Sequence, residues 1–108
     1  MRKSLSIEEL AERWEWLTWE KGIEVFKISE YHNNRKPITY EISGLNMEFE
    51  NKSVVVCSDF NGALIEKESL LSCFLRKHII SISLISIGNN YYKELIELKS
   101  GYILIEIV

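Results

Sequence analysis

A chain of 108 residues is long enough for one hydrophobic core and too short for two, since a domain of this size buries about 65% of its extended surface on folding. Its 46% hydrophobic and 27% charged residues, with a single proline, exclude the disordered, collagen-like and low-complexity classes. A formal net charge of -3 argues against non-specific binding to nucleic acid or to an anionic membrane and suits a cationic partner, although ordinary solubility accounts for the same charge.

The first residues, Met1-Arg2-Lys3-Ser4-Leu5-Ser6, are basic, but Glu8, Glu9 and Glu12 follow where a secretion signal needs its apolar core, so no such signal is expected. Ser6 and Glu9 have capping-box spacing and predict a helix start. Ile7, Leu10, Trp14 and Leu17 then recur as one buried stripe, with Glu8, Glu12 and Glu15 on the solvent side and Gly22 ending the helix. Trp14, Trp16 and Thr18 also alternate like a strand, with Glu20-Lys21-Gly22 as its turn. The cap and the helix formers from Glu9 to Arg13 favour helix through Lys21.

From Ile23 the period changes. Ile23, Val25, Phe26 and Ile28 make a β-rich run ending at the polar loop His32 to Pro37, and Ile38 to Ser43 alternates as the return strand before Gly44. Leu45, Met47 and Phe49 alternate with Asn46, Glu48 and Glu50, and Val54 to Cys57 returns beyond Asn51-Lys52 as a second hairpin. Asp59-Phe60-Asn61-Gly62 is a turn, and Leu70, Leu71, Phe74 and Leu75 predict a second helix over Glu66 to His78.

The final third predicts a meander: Ile79 to Ile87, the turn Gly88-Asn89-Asn90, Tyr91 to Leu98, the turn Lys99-Ser100-Gly101, and Tyr102 to Val108. The last strand is apolar on both faces, which suits a central strand under a helix or an edge strand covered by a second copy in a homodimer. The serine-broken run Ile79 to Ile87 is far short of the roughly 20 residues of a membrane span. The whole is expected to be a single α+β domain over residues 1–108, with a mostly antiparallel sheet of about six to seven strands in hairpins and the C-terminal meander, an N-terminal helix and one mid-chain helix.

The residues that carry chemistry are few. Cys57 and Cys73 lack zinc or redox spacing and sit among apolar neighbours, the pattern of buried reduced thiols in a reducing, cytoplasmic compartment. A thiol and base from Cys57 with His78, or Cys73 with His32, oriented by Asp59, has no supporting spacing. The glycines are isolated at turns rather than gathered into a phosphate loop, and pairs such as Glu66 and Glu68 are ordinary surface glutamates. Tyr91-Tyr92-Lys93 and Lys27 to Tyr31 come nearest to a base-stacking module, and neither forms one. No catalytic residue, cofactor, metal or nucleic-acid partner is therefore expected.

One cluster resists assignment to the core. Trp14 continues the stripe of Leu10, but Trp16 and Trp19 lie on another side of the helix, bracketed by Glu12, Glu15 and Glu20. They either enlarge the core beneath a wrapping sheet or form an exposed aromatic-acidic patch of the kind that anchors protein interfaces.

The C-terminal pattern from Ile80 to Val108, in which two strands lead through Lys99-Ser100-Gly101 into a final apolar strand, resembles the ends of small immunity proteins from bacterial contact-dependent and polymorphic toxin systems. The resemblance implies a non-enzymatic inhibitor that occludes the basic active site of a cognate toxin, a nuclease for example, with carboxylates imitating phosphate and aromatics anchoring the contact. On that reading Glu12, Glu15, Trp16, Trp19 and Glu20 are the partner-binding residues. A homodimeric structural module and a small-ligand carrier are the alternatives.

Overall fold

Ser6 starts the helix as its spacing from Glu9 predicts. Ser6 Oγ accepts the Glu9 N–H at 3.1 Å, and Glu9 Oε1 accepts the Ser6 N–H at 2.9 Å. In the computed structural model, which describes residues 2–63, 65, 69–86 and 92–107, α1 spans Ile7–Glu15 and continues as a π-helical turn over Trp16–Glu20. The Lys21 N–H closes that turn on the Trp16 carbonyl at 2.9 Å, and Gly22 follows at φ 69. Trp14 to Trp19 is thus helical, and Ile7, Leu10, Trp14 and Leu17 are all buried as one stripe.

Nine strands form among the described residues: β1 Arg2–Ser4, β2 Phe26–His32, β3 Ile38–Ile42, β4 Asn46–Glu50, β5 Val54–Ser58, β6 Cys73–Leu75, β7 Ile79–Ser86, β8 Tyr92–Leu98 and β9 Gly101–Ile107. They pair antiparallel in a six-stranded sheet of order β1-β7-β8-β9-β2-β3 and a three-stranded sheet of order β4-β5-β6. Both predicted hairpins and the meander are present; its turn Gly88-Asn89-Asn90 lies outside the described residues.

The strand count exceeds the expected six to seven because β1 and β6 were not anticipated. β6 also replaces the expected mid-chain helix. Of the span from Glu66 to His78, residues 66–68 lie outside the described residues, Leu70 to Ser72 is a turn, Cys73–Leu75 is strand, and Arg76–His78 is a single 3-10 turn. Four apolar residues at helical spacing also fit a turn followed by a strand. The exposed hydrogen-bonding edge of β5 decides between them, pairing Val55 with Phe74. That pairing turns Cys73 to solvent and Phe74 inward, so Cys73 is an exposed free thiol and only Cys57 is buried.

β9 lies between β8 and β2, with both of its edges paired. The central-strand reading holds for the described residues 102–107, which have no free edge to offer a symmetry mate. Gly101 opens β9 opposite His32, where an added Cβ would stand 2.1 Å from the Tyr31 carbonyl oxygen.

The register places Phe26 and Ile28 of β2, Ile103 and Ile105 of β9, and Ile96 of β8 on one face of the large sheet. This face, the buried stripe of α1, and Leu45, Met47, Val55, Cys57 and Phe74 of the small-sheet side form one hydrophobic cluster. Among the described residues no helix is long and apolar enough to cross a membrane.

Candidate functional site

The helix presents its second aromatic pair to solvent. Trp16 is 48% and Trp19 60% exposed, and Glu12, Glu15 and Glu20 are exposed around them. The exposed arrangement of this patch is therefore the one that forms. Glu12 precedes Trp16, and Glu15 precedes Trp19, by about one helical turn, so each ring stands over a carboxylate-bearing position. Lys21 Nζ lies 5.8 Å from the centroid of the Trp16 ring.

Trp19 packs on a residue that sequence reasoning assigned only to a turn. Its ring stacks at a tilt on Phe60, with centroids 4.7 Å apart, and Phe60 is itself 48% exposed. The turn is rigidly built: Asp59 Oδ1 accepts the N–H groups of Asn61 and Ala63, both at 2.9 Å, and the Phe60 N–H donates to the Ser43 carbonyl at 2.7 Å. Gly44 makes the approach possible. It sits at φ 75, and a Cβ there would come within 2.8 Å of Phe60 Cβ and 3.0 Å of Thr18 Cγ2.

Thr18 fastens the π-turn to the same corner. It is buried, and its Oγ1 donates to the Leu45 carbonyl and accepts the Leu45 N–H, each at 3.1 Å. Between these fixed pieces runs an open groove of about 440 Å³, with Gly22, Ile23 and Glu24 on the helix side and Gly44 and Phe60 on the loop side. The sequence signal that points to Phe60 is a large apolar ring inside an otherwise polar turn.

A second polar cluster lies on the inner face of the large sheet. Glu30 of β2 is fully buried, two residues beyond Ile28 and so on the same face. Its Oε2 accepts the Tyr40 hydroxyl at 2.5 Å and the Ser69 hydroxyl; its Oε1 accepts the Leu70 N–H at 2.5 Å and lies 3.0 Å from His32 Nε2. Burial, followed by the bond to Glu30, pushes the Tyr40 phenol well above its ordinary range, so it remains a donor. Four partners occupy the acceptor sites of one carboxylate, which makes Glu30 a clamp holding Ser69 and Leu70 against the sheet rather than a base open to a substrate.

Glu94 of β8 is the other fully buried carboxylate. It accepts Trp14 Nε1–H at 2.7 Å and Arg13 Nε–H at 2.6 Å, joining α1 to the sheet. Of the groups considered for catalysis, Asp59 holds its own turn, His32 meets Glu30, and burial pushes the Cys57 thiol well above the ordinary range. Among the described residues no group of three or more His, Cys, Asp and Glu side chains converges as metal ligands. Comparison with protein-family models, characterised proteins and solved structures yields no match to the chain.

Proposed function

We propose that this chain is a non-catalytic protein-binding module that docks on a basic protein through the face carrying Trp16, Trp19 and Phe60, rimmed by Glu12, Glu15 and Glu20. The mode of action is that implied by the immunity-protein resemblance: the module covers a cationic site on its partner and so inhibits it. One observation carries this reading. Trp19 keeps 60% of its surface exposed although Phe60 stacks on it, so two neighbouring rings present an apolar surface beside a helix that also exposes Glu12, Glu15 and Glu20. Rigid aromatics lose little entropy on docking, and the surrounding charge accelerates encounter with a basic partner.

The test is affinity purification of the tagged chain from its native cells at low and high salt, beside a variant carrying Glu15→Gln, Trp16→Ala and Trp19→Ala together. The wild type should retain one dominant basic protein, lose much of it at high salt, and inhibit that protein's activity after both are purified. The triple variant, folded by circular dichroism because the three positions are exposed, should retain and inhibit nothing. A partner held equally by the variant, or one whose activity is unchanged by the chain, overturns the proposal.

A further inference from the structure

The groove beside Phe60 narrows the chemistry of what docks there. We infer that it is a guanidinium site that seats an arginine side chain of the basic partner, an inference that rests on the docking role given above. Three independent features of the groove converge on a cation of that shape.

The first is charge. Among the described residues that line the groove only Glu24 is ionisable, and it places a negative charge at the wall. The second is the helix end. The groove opens at Thr18 and Gly22, where the π-turn terminates and the backbone carbonyls of a helix concentrate about half a negative charge.

The third is the aromatic surface. Phe60 forms a wall and stacks on Trp19, which lies outside the groove lining, and a ring face attracts a cation through its quadrupole. The chain already uses this attraction internally: Lys21 lies over Trp16, Arg13 is 5.2 Å from the Tyr92 centroid, and Arg76 is 5.3 Å from the Phe49 centroid. The cation–ring pairs found among the described residues leave out Trp19 and Phe60, which stack on each other.

Arginine fits better than lysine. A planar guanidinium stacks on a ring while its edge forks onto a carboxylate, and the ring and carboxylate here are Phe60 and Glu24. The groove's volume of about 440 Å³ suits one long side chain entering from the open side. Its shape is fixed by Gly44 and by the Thr18 bonds to Leu45, so little ordering is needed on binding.

The experiment titrates the ¹⁵N-labelled chain with the capped peptide acetyl-Gly-Arg-Gly-amide, following the Trp19 indole N–H, with the lysine and citrulline counterparts as comparators. The arginine peptide should shift that signal saturably. Citrulline, which keeps the shape and loses the charge, should bind about fivefold or more weakly, and lysine should fall between them. Glu24→Gln should weaken the arginine peptide about fivefold as well, while Glu50→Gln on β4 leaves it unchanged.

Equal binding of arginine and citrulline, equal binding of arginine and lysine, or no shift at Trp19 each overturns the inference. Failure here can be separated from failure of the docking role. If the peptides fail but partner capture still depends on Trp16 and Trp19, the guanidinium site falls alone. If the arginine peptide binds but capture survives the triple variant, the docking role falls and the groove remains a guanidinium site.

Discussion

Glu30 and Glu94 are both fully buried on the inner face of the large sheet, yet they predict different experiments. Burial pushes the Glu94 carboxyl above its ordinary value of 4.5, against the opposing effects of Trp14 Nε1–H and the Arg13 guanidinium. Between pH 4.5 and the raised folded value the folded chain holds more of this proton than the unfolded chain. Glu94's contribution to stability is full below that pH and is lost as pH rises through the folded value. Glu94→Gln cannot titrate, so urea unfolding from pH 4 to pH 8 should show the variant gaining on the wild type as pH rises; a difference that is flat or of opposite slope refutes this. Glu8 and Glu9 lie below 4.5, Glu8 mainly through a backbone hydrogen bond with help from Arg76, and Glu9 through Ser6, so their contribution is lost in the opposite direction, as pH falls.

Glu30 differs because its role is to accept several donors at once. Glu30→Gln turns an amide N–H₂ toward the groups that now donate to the carboxylate, leaving donors unpaired in the core. It should cost about 3 kcal/mol in denaturant unfolding, whereas Tyr40→Phe, which removes one donor, should cost about 1 kcal/mol. Similar costs for the two changes would mean that the clamp is not centred on the carboxylate. The sequence holds half of this site. Alternation from Ile28 places Glu30 inward, but Ser69 and Leu70 arrive from about forty positions away along the chain, and no local pattern announces them.

At the scale of elements, local signals account for part of the fold, though the strand expected from Ile23 begins only at Phe26. The capping box, the buried stripe of α1 and the meander depend on neighbours within a few residues, and each formed. Ser6→Ala should accordingly cost about 1 kcal/mol, seen as a lower urea midpoint and faster amide exchange in the first turn of α1. The expected helix over Glu66 to His78 failed because the edge of β5, not local periodicity, determines what Cys73 to Leu75 becomes. The groove was hidden for the same reason: Trp19 and Phe60 meet only because the connection between β3 and β4 brings Gly44 beneath Phe60. Gly44→Ala adds a methyl group at positive φ and against Phe60 Cβ. It should cost about 1–3 kcal/mol and move the Trp19 indole signal. An unchanged Trp19 signal would show that Phe60 does not depend on Gly44 for its position.

For the molecule as a whole, the question is whether two sheets behave as one folding unit. The Cα radius of gyration is 12.9 Å, against about 13 Å expected for a single domain of this length. The small sheet is also too small to stand alone, because three short strands need an apolar layer to rest on. That layer is α1: Leu45, Met47, Val55 and Cys57 join Leu10, Trp14 and Leu17 in the cluster that also holds Ile96, Ile103 and Ile105 of the large sheet. Opening the small sheet would expose one side of the helix stripe, so the two sheets should be lost together. Two probes on opposite sides of the helix test this. With Trp16→Phe and Trp19→Phe, fluorescence reports Trp14 and its bond to Glu94 on the large-sheet side. With Cys73→Ser, thiol labelling reports Cys57, which is fully buried in β5 on the other side. Opening free energies from Cys57 labelling and from Trp14 fluorescence should agree across a urea series, as one cooperative transition requires. A lower value for Cys57 would make the small sheet a separate unit that opens while α1 stays on the large sheet, with the β3–β4 and β6–β7 connections, which both cross between the sheets, as its hinges.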